Sequence, residues 1–229
     1  MDLEALKAKA SLEALTRVES GMRLGLGTGS TVAHFLDHLG AALREGRLTD
    51  IIGVPTSERT TTSCKELGIP TADLEDHPQL DLGVDGADEV DPSLELIKGL
   101  GGALLREKMV AGACQRFVVI ADDTKRVTNL FERSPLPVEV VPFAWRAHLP
   151  FLRDLGADPT LRTTEDREPY HTDNGNLVID CRFTPGAQDA HAVARALESR
   201  PGVVEHGLFL GMANEAILAA GGGIEVIGR

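Results

Sequence analysis

The order of apolar runs along this chain predicts an α/β fold: a mostly parallel, Rossmann-like sheet with helices on both faces, carrying a small ferredoxin-like α+β insertion. Three observations carry that expectation. Short apolar runs alternate with helical patterns over the first 125 residues, the signature of a parallel sheet covered on both sides. After Pro135-Leu136-Pro137 the rhythm changes to strand-helix-strand-strand-helix-strand, the split pattern of a ferredoxin-like unit. A last apolar strand then returns to the first sheet, which makes the middle segment an insertion.

Taken in order, Leu3, Leu6 and Ala10, then Leu12, Leu15 and Val18, space an amphipathic opening helix. Met22–Leu26 is a short strand and Gly27-Thr28-Gly29-Ser30 the turn after it. Thr31 to Arg44 reads as a helix with Val32, Phe35, Leu36 and Leu39 on one face. Asp50–Val54 is a second strand, and Ser57 is placed to cap a helix that runs to Leu67. Ile69–Leu74 and Leu80–Val84 are strand candidates, Ala103–Ala113 a helix, and Arg116–Ala121 a strongly apolar strand. In the second half, Val138–Val141 reads as a strand, Ala144–Leu155 as a helix and Pro159–Thr164 as a strand. Asn174-Gly175 marks a hairpin-type turn before strand Leu177–Phe183; helix Asp189–Ser199 and strand Val203–Gly207 follow. The tail carries a short helical stretch around Asn214–Ala219 and the strand Ile224–Ile227. Residues 1–130 and 208–229 are therefore expected to form the larger domain, and 131–207 the smaller.

Composition narrows the function. The 229 residues suit one large or two modest domains. Lys and Arg number 23 against 35 Asp and Glu, a net charge of −12 that excludes a general nucleic-acid binder. Anionic membrane surfaces should repel such a chain, and an anionic ligand must be captured by a local pocket against the overall field. Apolar runs such as Phe117-Val118-Val119-Ile120-Ala121 are far too short to span a bilayer. The charged opening, with Asp2, Glu4, Lys7, Lys9 and Glu13, is unlike a signal peptide. Cys64, Cys114 and Cys181 are widely spaced and odd in number, against a disulfide framework or a structural zinc site and in favour of a reducing cytoplasm.

Four segments carry chemistry, all where a strand hands over to a turn or helix, the edge at which open α/β sheets bind ligands. Gly25-Leu26-Gly27-Thr28-Gly29-Ser30-Thr31 lets backbone approach an anion, with hydroxyls and a helix N-terminus to receive it. It is neither a Walker A loop nor the dinucleotide fingerprint; the alternative is a tight turn with an N-cap serine. Asp81 to Asp91 holds five acids in eleven residues around Gly86, suited to acid–base work or to a divalent metal, or else an acidic surface turn with Asp88 or Asp91 as a cap. Lys98-Gly99-Leu100-Gly101-Gly102 opens another helix, in which Glu107 sits at the border of the apolar face; burial there would raise its pKa. The alternative is a solvated Arg106-Glu107-Lys108 triplet. Asp122-Asp123-Thr124-Lys125 follows the most apolar strand, where Lys125 would hold a phosphate or carboxylate as a point charge, or simply end the strand. His34 and His38 share a helix with no third ligand nearby, a surface pair rather than zinc ligands.

Together these four segments, in this order and spacing, resemble ribose-5-phosphate isomerases of the A type across essentially the whole chain. The resemblance implies an α/β catalytic domain with a small α+β insertion and no cofactor or metal. It implies an aldose–ketose isomerase that interconverts ribose 5-phosphate and ribulose 5-phosphate through an enediol(ate), in the non-oxidative pentose phosphate pathway. By the same resemblance Glu107 is the base between C1 and C2, Asp85 assists ring opening with Asp88 nearby, and Lys98 stabilises the enediolate oxygen with amides of Gly99, Gly101 and Gly102. Gly27, Thr28, Gly29, Ser30 and Thr31 would surround the substrate, and Lys125 and Lys7 (or Lys9) would hold the phosphate. A cytoplasmic homodimer or tetramer is implied, with a phosphosugar as partner and neither nucleic acid nor membrane.

The chemistry fits the residues independently. A proton passed between adjacent carbons needs one base, best with its pKa near working pH, and the oxyanion needs fixed donors in a dry site. Rival enzymes are amino-sugar phosphate deaminases and coenzyme A transferases, the latter separated by a trapped thioester on Glu107. A sugar-phosphate sensor of a repressor would need a basic helix-turn-helix, for which neither end has room.

Overall fold

A computed structural model describes residues 2–229. In chain order the elements are α1 (Leu3–Leu15), β1 (Arg23–Leu26), α2 (Ser30–Arg44), β2 (Ile52–Pro55), α3 (Glu58–Leu67), β3 (Leu80–Asp85), β4 (Glu89–Val90) and β5 (Leu96–Ile97). There follow α4 (Leu104–Ala113), β6 (Cys114–Asp122), β7 (Leu136–Val140), α5 (His148–Asp154), β8 (Asp158–Leu161), β9 (Leu177–Arg182), α6 (Ala190–Glu198), β10 (Val203–His206), β11 (Leu208–Phe209), β12 (Glu215–Ala220) and β13 (Gly223–Gly228). Contacts divide the chain into one unit of Met1–Ala87, Arg106–Arg126 and Gly211–Arg229, and another of Asp88–Leu105 and Val127–Leu210.

The first unit is built on a six-stranded sheet ordered β13-β12-β6-β3-β1-β2, parallel except for β13 at the edge. Strand alternation sends Leu24, Leu26, Leu82 and Val84 into a cluster with Leu6 and Ala10 of α1 and Phe35 and Leu39 of α2. Each leucine, valine or phenylalanine among them contributes roughly 1.5–3 kcal/mol by leaving water. On the opposite face Gly25 and Gly83 leave room for α4 and the start of β6. A Cβ at Gly25 would meet Val110 at 2.6 Å, and one at Gly83 would meet the Cys114 sulfur at 2.7 Å. Helices therefore cover both faces, as the sequence predicts. His34 and His38 tie α2 to α1, through the Glu4 carboxylate at 3.0 Å and the Ala8 carbonyl at 3.3 Å.

Three expectations are corrected. Asn214–Ala219 is not helical: β12 lies between β6 and β13, and a strand buried on both faces shows an unbroken apolar run that periodicity cannot tell from a helix. Ile69–Leu74 is not a strand, since only Thr71 makes a bridge, to Gly53. Pro70 has no N–H to give and serves only as the acceptor for Gly53 N at 2.9 Å. Leu3 and Leu12, placed on the apolar face of α1, are 44% and 54% exposed, because the buried stripe runs through Leu6, Ala10, Ala14 and Leu15.

In the second unit β7, α5, β8, β9, α6 and β10 form an antiparallel sheet ordered β10-β7-β9-β8, the ferredoxin-like arrangement. Leu136, Val138 and Val140 of β7 pack with Leu152 of α5 and Val193 and Leu197 of α6. The expected helix from Ala144 starts at His148, after a 3-10 turn, and Pro150 is tolerated in its first turn. On the other face of β7, Glu139 is fully buried and accepts from Thr172 Oγ1 at 2.9 Å, Asn174 Nδ2 at 3.2 Å and Asn176 Nδ2 at 2.9 Å. A second, three-stranded sheet, β11-β5-β4, brings residues 88–105 into this unit rather than the first. Buried Glu89 binds it to the following chain, taking backbone N–H groups of Phe131, Arg133 and Ser134 at 2.6–2.7 Å. Among the described residues no helix is long and apolar enough to cross a membrane.

Candidate active site

In the first unit, β1, β3 and β6 are parallel neighbours, so the residues that follow them share the carboxyl edge of the sheet. Asp85 ends β3 and is 2% exposed; its Oδ1 accepts Thr28 N at 3.1 Å and Gly86 N at 2.7 Å. Gly27 is buried directly against it, where a Cβ would fall 2.1 Å from the carboxylate carbon. Glu107 lies one turn into α4 and is 3% exposed, so it is not part of a solvated triplet. Glu107 shares its helix face with Val110 and Ala111, whereas Arg106 turns outward to Glu58 Oε1 at 2.9 Å. Asp85 and Glu107 both line a cavity of about 10 Å³, together with Gly25, Gly27 and Thr56, which is room for a single water.

The three alternate glycines thus have different tasks. Gly25 admits α4, Gly27 admits Asp85, and only Gly29 adopts a backbone reserved for glycine, at φ 123°. Gly29, not Ser30, is the N-cap of α2, and no side chain caps the helix there, so its first amides have no side-chain acceptor. Ser30 is exposed and Thr31 half-buried at that terminus, with the Thr31 carbonyl held by Ser11 Oγ at 2.8 Å. Thr28 Oγ1 lies among three hydroxyls: Thr56 and Ser57, both at 2.8 Å, and Thr60 at 3.1 Å. Thr60 Oγ1 also donates to the Gly27 carbonyl at 2.8 Å. Sequence reasoning found Ser57 only as the cap of α3, which it is, through Thr60 N at 3.1 Å; Thr56 and Thr60 it missed. Their signal was the run Thr56-Ser57 after a strand end in register with β1.

Lys7 is half-buried on α1 with its Nζ 2.7 Å from Glu4, and Glu4 also meets His34 of α2 at 3.0 Å. Hydrogen bonds from Lys7 and then His34 hold the Glu4 carboxyl below its ordinary pKa. Lys7 is therefore tied towards the first turns of α2. Lys125 closes a 3-10 turn, Asp123–Lys125, after β6, and is half-buried.

In the second unit, Lys98 is 2% exposed, with its Nζ 5.3 Å from the centre of the Phe209 ring and its N–H on the Gly207 carbonyl at 2.9 Å. The loop after it turns at Gly99 (φ 100°) and Gly102 (φ 82°), both buried, with Gly101 exposed between them. Asp88 Oδ2 accepts Leu100 N at 3.0 Å, so this acid clips the loop. Asp91 is a turn residue, accepting Ser93 N and Glu95 N at 2.8 Å each. The five acids of the turn therefore diverge into separate environments. Among the described residues no group of three His, Cys, Asp or Glu side chains is disposed to hold a metal ion.

Residues 52–223 match the family model described as ribose 5-phosphate isomerase A (phosphoriboisomerase A). The chain is 54% identical over 224 residues to a ribose-5-phosphate isomerase A of Roseiflexus castenholzii, covering 98% of this chain and 95% of that one. A solved D-ribose-5-phosphate isomerase in complex with phospho-erythronic acid superposes with a TM-score of 0.97 at 41% identity, covering both chains fully. The ribose 5-phosphate isomerase of Plasmodium falciparum gives 0.96 at 35% identity, covering 99% of each.

Proposed function

The chain belongs to the ribose 5-phosphate isomerase A family and interconverts ribose 5-phosphate and ribulose 5-phosphate; from that premise we propose that Glu107 is the base that carries the proton between C2 and C1. The observation that carries this reading is the pair of buried carboxylates, Asp85 and Glu107, on one cavity at the carboxyl edge of the sheet. In the aldose-to-ketose direction Glu107 takes the C2 proton and the electron pair forms the C1–C2 double bond, leaving the charge on O1. The C2 hydroxyl proton then passes to O1, and protonated Glu107 returns its proton to C1 as O2 becomes the ketone oxygen. A base with reach to both carbons, sheltered from bulk water, is what this step requires. Asp85 takes the anomeric hydroxyl proton and hands it to the ring oxygen as the C1–O4 bond breaks, and the N–H groups of Thr28 and Gly86 keep its carboxylate in place for that.

The negative oxygen of the enediolate is met by Lys98 and loop amides, donors whose value is greatest when the charge is present. Asp88 keeps the loop in shape by holding Leu100 N. The uncapped amides at Ser30 and Thr31 receive the phosphate, with Lys7 and Lys125 as point charges and Thr28 placed by its hydroxyl cluster. One relative binds phospho-erythronic acid; a planar carboxylate next to a phosphate tail imitates an enediolate, and the same ligand is expected to inhibit this enzyme. No metal or organic cofactor is needed for these steps. A cytoplasmic homodimer belongs to the same proposal and is checked by light scattering and cell fractionation.

Isomerisation in deuterium oxide, with and without EDTA, is the test. EDTA-resistant turnover with solvent deuterium entering the sugar is expected; EDTA-sensitive turnover without label would replace the proton shuttle by a hydride shift. Glu107→Gln should lower kcat by about 10²–10⁴-fold, with phosphosugar binding retained in calorimetry. A variant with most of its activity intact would remove Glu107 from the role of base.

A further inference from the structure

Two carbonyl oxygens of the glycine-rich loop meet one guanidinium. Arg162, directly after β8, donates from Nη1 to the Gly99 carbonyl at 3.1 Å and to the Leu100 carbonyl at 3.0 Å. Asp180 of β9 grips the same guanidinium through Nε, at 2.9 Å, and through Nη2. A two-point pair of this kind fixes the plane of the guanidinium, and with the Arg162 side chain only 13% exposed, water competes little for it. The Arg162 guanidinium carbon stands 5.7 Å from the Tyr170 ring centre. A Cβ on Gly102 would meet the Tyr170 hydroxyl at 2.1 Å, so Tyr170 closes the other end of the loop.

Peptide geometry turns these contacts into a direction. In a trans peptide the carbonyl and the following N–H point opposite ways. Drawing the Gly99 carbonyl onto Arg162 sends Leu100 N–H the other way, where Asp88 accepts it at 3.0 Å. Drawing the Leu100 carbonyl onto Arg162 likewise turns Gly101 N–H away from the guanidinium, at an exposed residue. A cation on the carbonyl side also polarises the peptide and strengthens the N–H as a donor. A salt bridge that served only to join β8 to β9 would need none of the loop contacts.

We propose that Arg162, held by Asp180, is a positioning residue for the isomerisation: it presets the Leu100–Gly101 peptide so that Gly101 N–H is offered to the enediolate oxygen. This rests on the reading that the loop amides act with Lys98 on that anion. Arg162 itself touches no reacting atom; its effect is confined to how well the amide is aimed. The expected signature is loss of transition-state stabilisation with ground-state binding spared.

Steady-state kinetics of full-length Arg162→Lys and Asp180→Asn, with phospho-erythronic acid as the inhibitor, tests it. Lysine keeps the charge and loses the fork, and Asn keeps the shape and loses the grip. In both, kcat should fall about ten- to a hundred-fold, as a sub-ångström misplacement does, with the inhibition constant rising by a similar factor. KM for ribose 5-phosphate should stay within about two-fold. Unchanged kcat, or a loss confined to KM, overturns the proposal. Lys98→Ala separates it from the parent reading. If Lys98→Ala lowers kcat while the Arg162 and Asp180 variants do not, the clamp is wrong and the electrostatic role of Lys98 stands; if it too leaves kcat unchanged, both fall. Melting curves show which variants fold, and where Arg162→Lys does not, Asp180→Asn carries the same test.

Discussion

Two glycine-rich loops open helices in this molecule, and they are built differently. Gly27-Thr28-Gly29-Ser30 ahead of α2 is shaped from close by: Gly27 yields to Asp85, Gly29 takes the positive φ, and hydroxyls from the next parallel strand end hold Thr28. Lys98 to Gly102 ahead of α4 is shaped from afar, by the Asp88 carboxylate on one amide and the Arg162 guanidinium on two carbonyls. The first is the bare terminus of a helix, which under the proposed function receives the fixed charge of the phosphate. The second is a set of single peptides aimed by side chains, suited to a charge that exists only during reaction. A shared sequence signature therefore builds two devices, and what differs is where the constraint comes from.

The heaviest blow to the first loop is Gly27→Ala. Its Cβ would lie 2.1 Å from the Asp85 carboxylate, so carboxylate and loop must part. Turnover should fall at least about a hundred-fold, and the fold should lose about 1–3 kcal/mol from overpacking. Wild-type turnover at the wild-type melting temperature would show that the Gly27–Asp85 contact does not set the site.

A matched pair sharpens the contrast itself. Gly29→Ala, strained at φ 123°, should raise KM about 5- to 150-fold through a cost of about 1–3 kcal/mol at the proposed phosphate site, with kcat little changed. Lys98→Ala should do the reverse, lowering kcat more than it raises KM. Equal effects of the two on kcat would erase the division of labour between the loops.

The smallest effect is expected at the cysteines, which report how tightly each unit is closed. Burial pushes the Cys64 thiol up to about 11 and the Cys114 thiol up to about 12, and it also raises Cys181. Thiolate is the reactive form, so native protein at neutral pH should take up almost no iodoacetamide, counted by intact mass, until denaturant is added. Rapid modification of Cys114 alone would mean that α4 opens from the sheet beside Gly25 and Gly83.

What the sequence determined by itself is whatever local chemistry encodes. Strand ends, turn glycines and helix faces follow from periods of two and 3.6 residues and from residues that alone fit a turn, so β1, α2, β3, α4 and β6 were legible to within a residue or two. The same holds for the order of strands and helices in the ferredoxin-like unit, and for the candidate carboxylates Asp85 and Glu107 at a strand end and a helix border. Tertiary structure decided the rest. The stretch Glu215–Ala220 became a central strand because β6 and β13 flank it, a context that outweighs helix propensity. Thr56 and Thr60 joined Thr28 only because β1 and β2 are parallel neighbours. Glu89, read as one acid of a crowded turn, became an anchor for backbone 42 to 45 residues later. Arg162 and Tyr170 met the glycine-rich loop only when folding brought them to residues 62 to 68 places earlier in the chain, and Asp180 reached Arg162 from the neighbouring strand. The physical reason is that a hydrogen bond or a close packing contact is set by distance in space, whereas a sequence records distance along the chain.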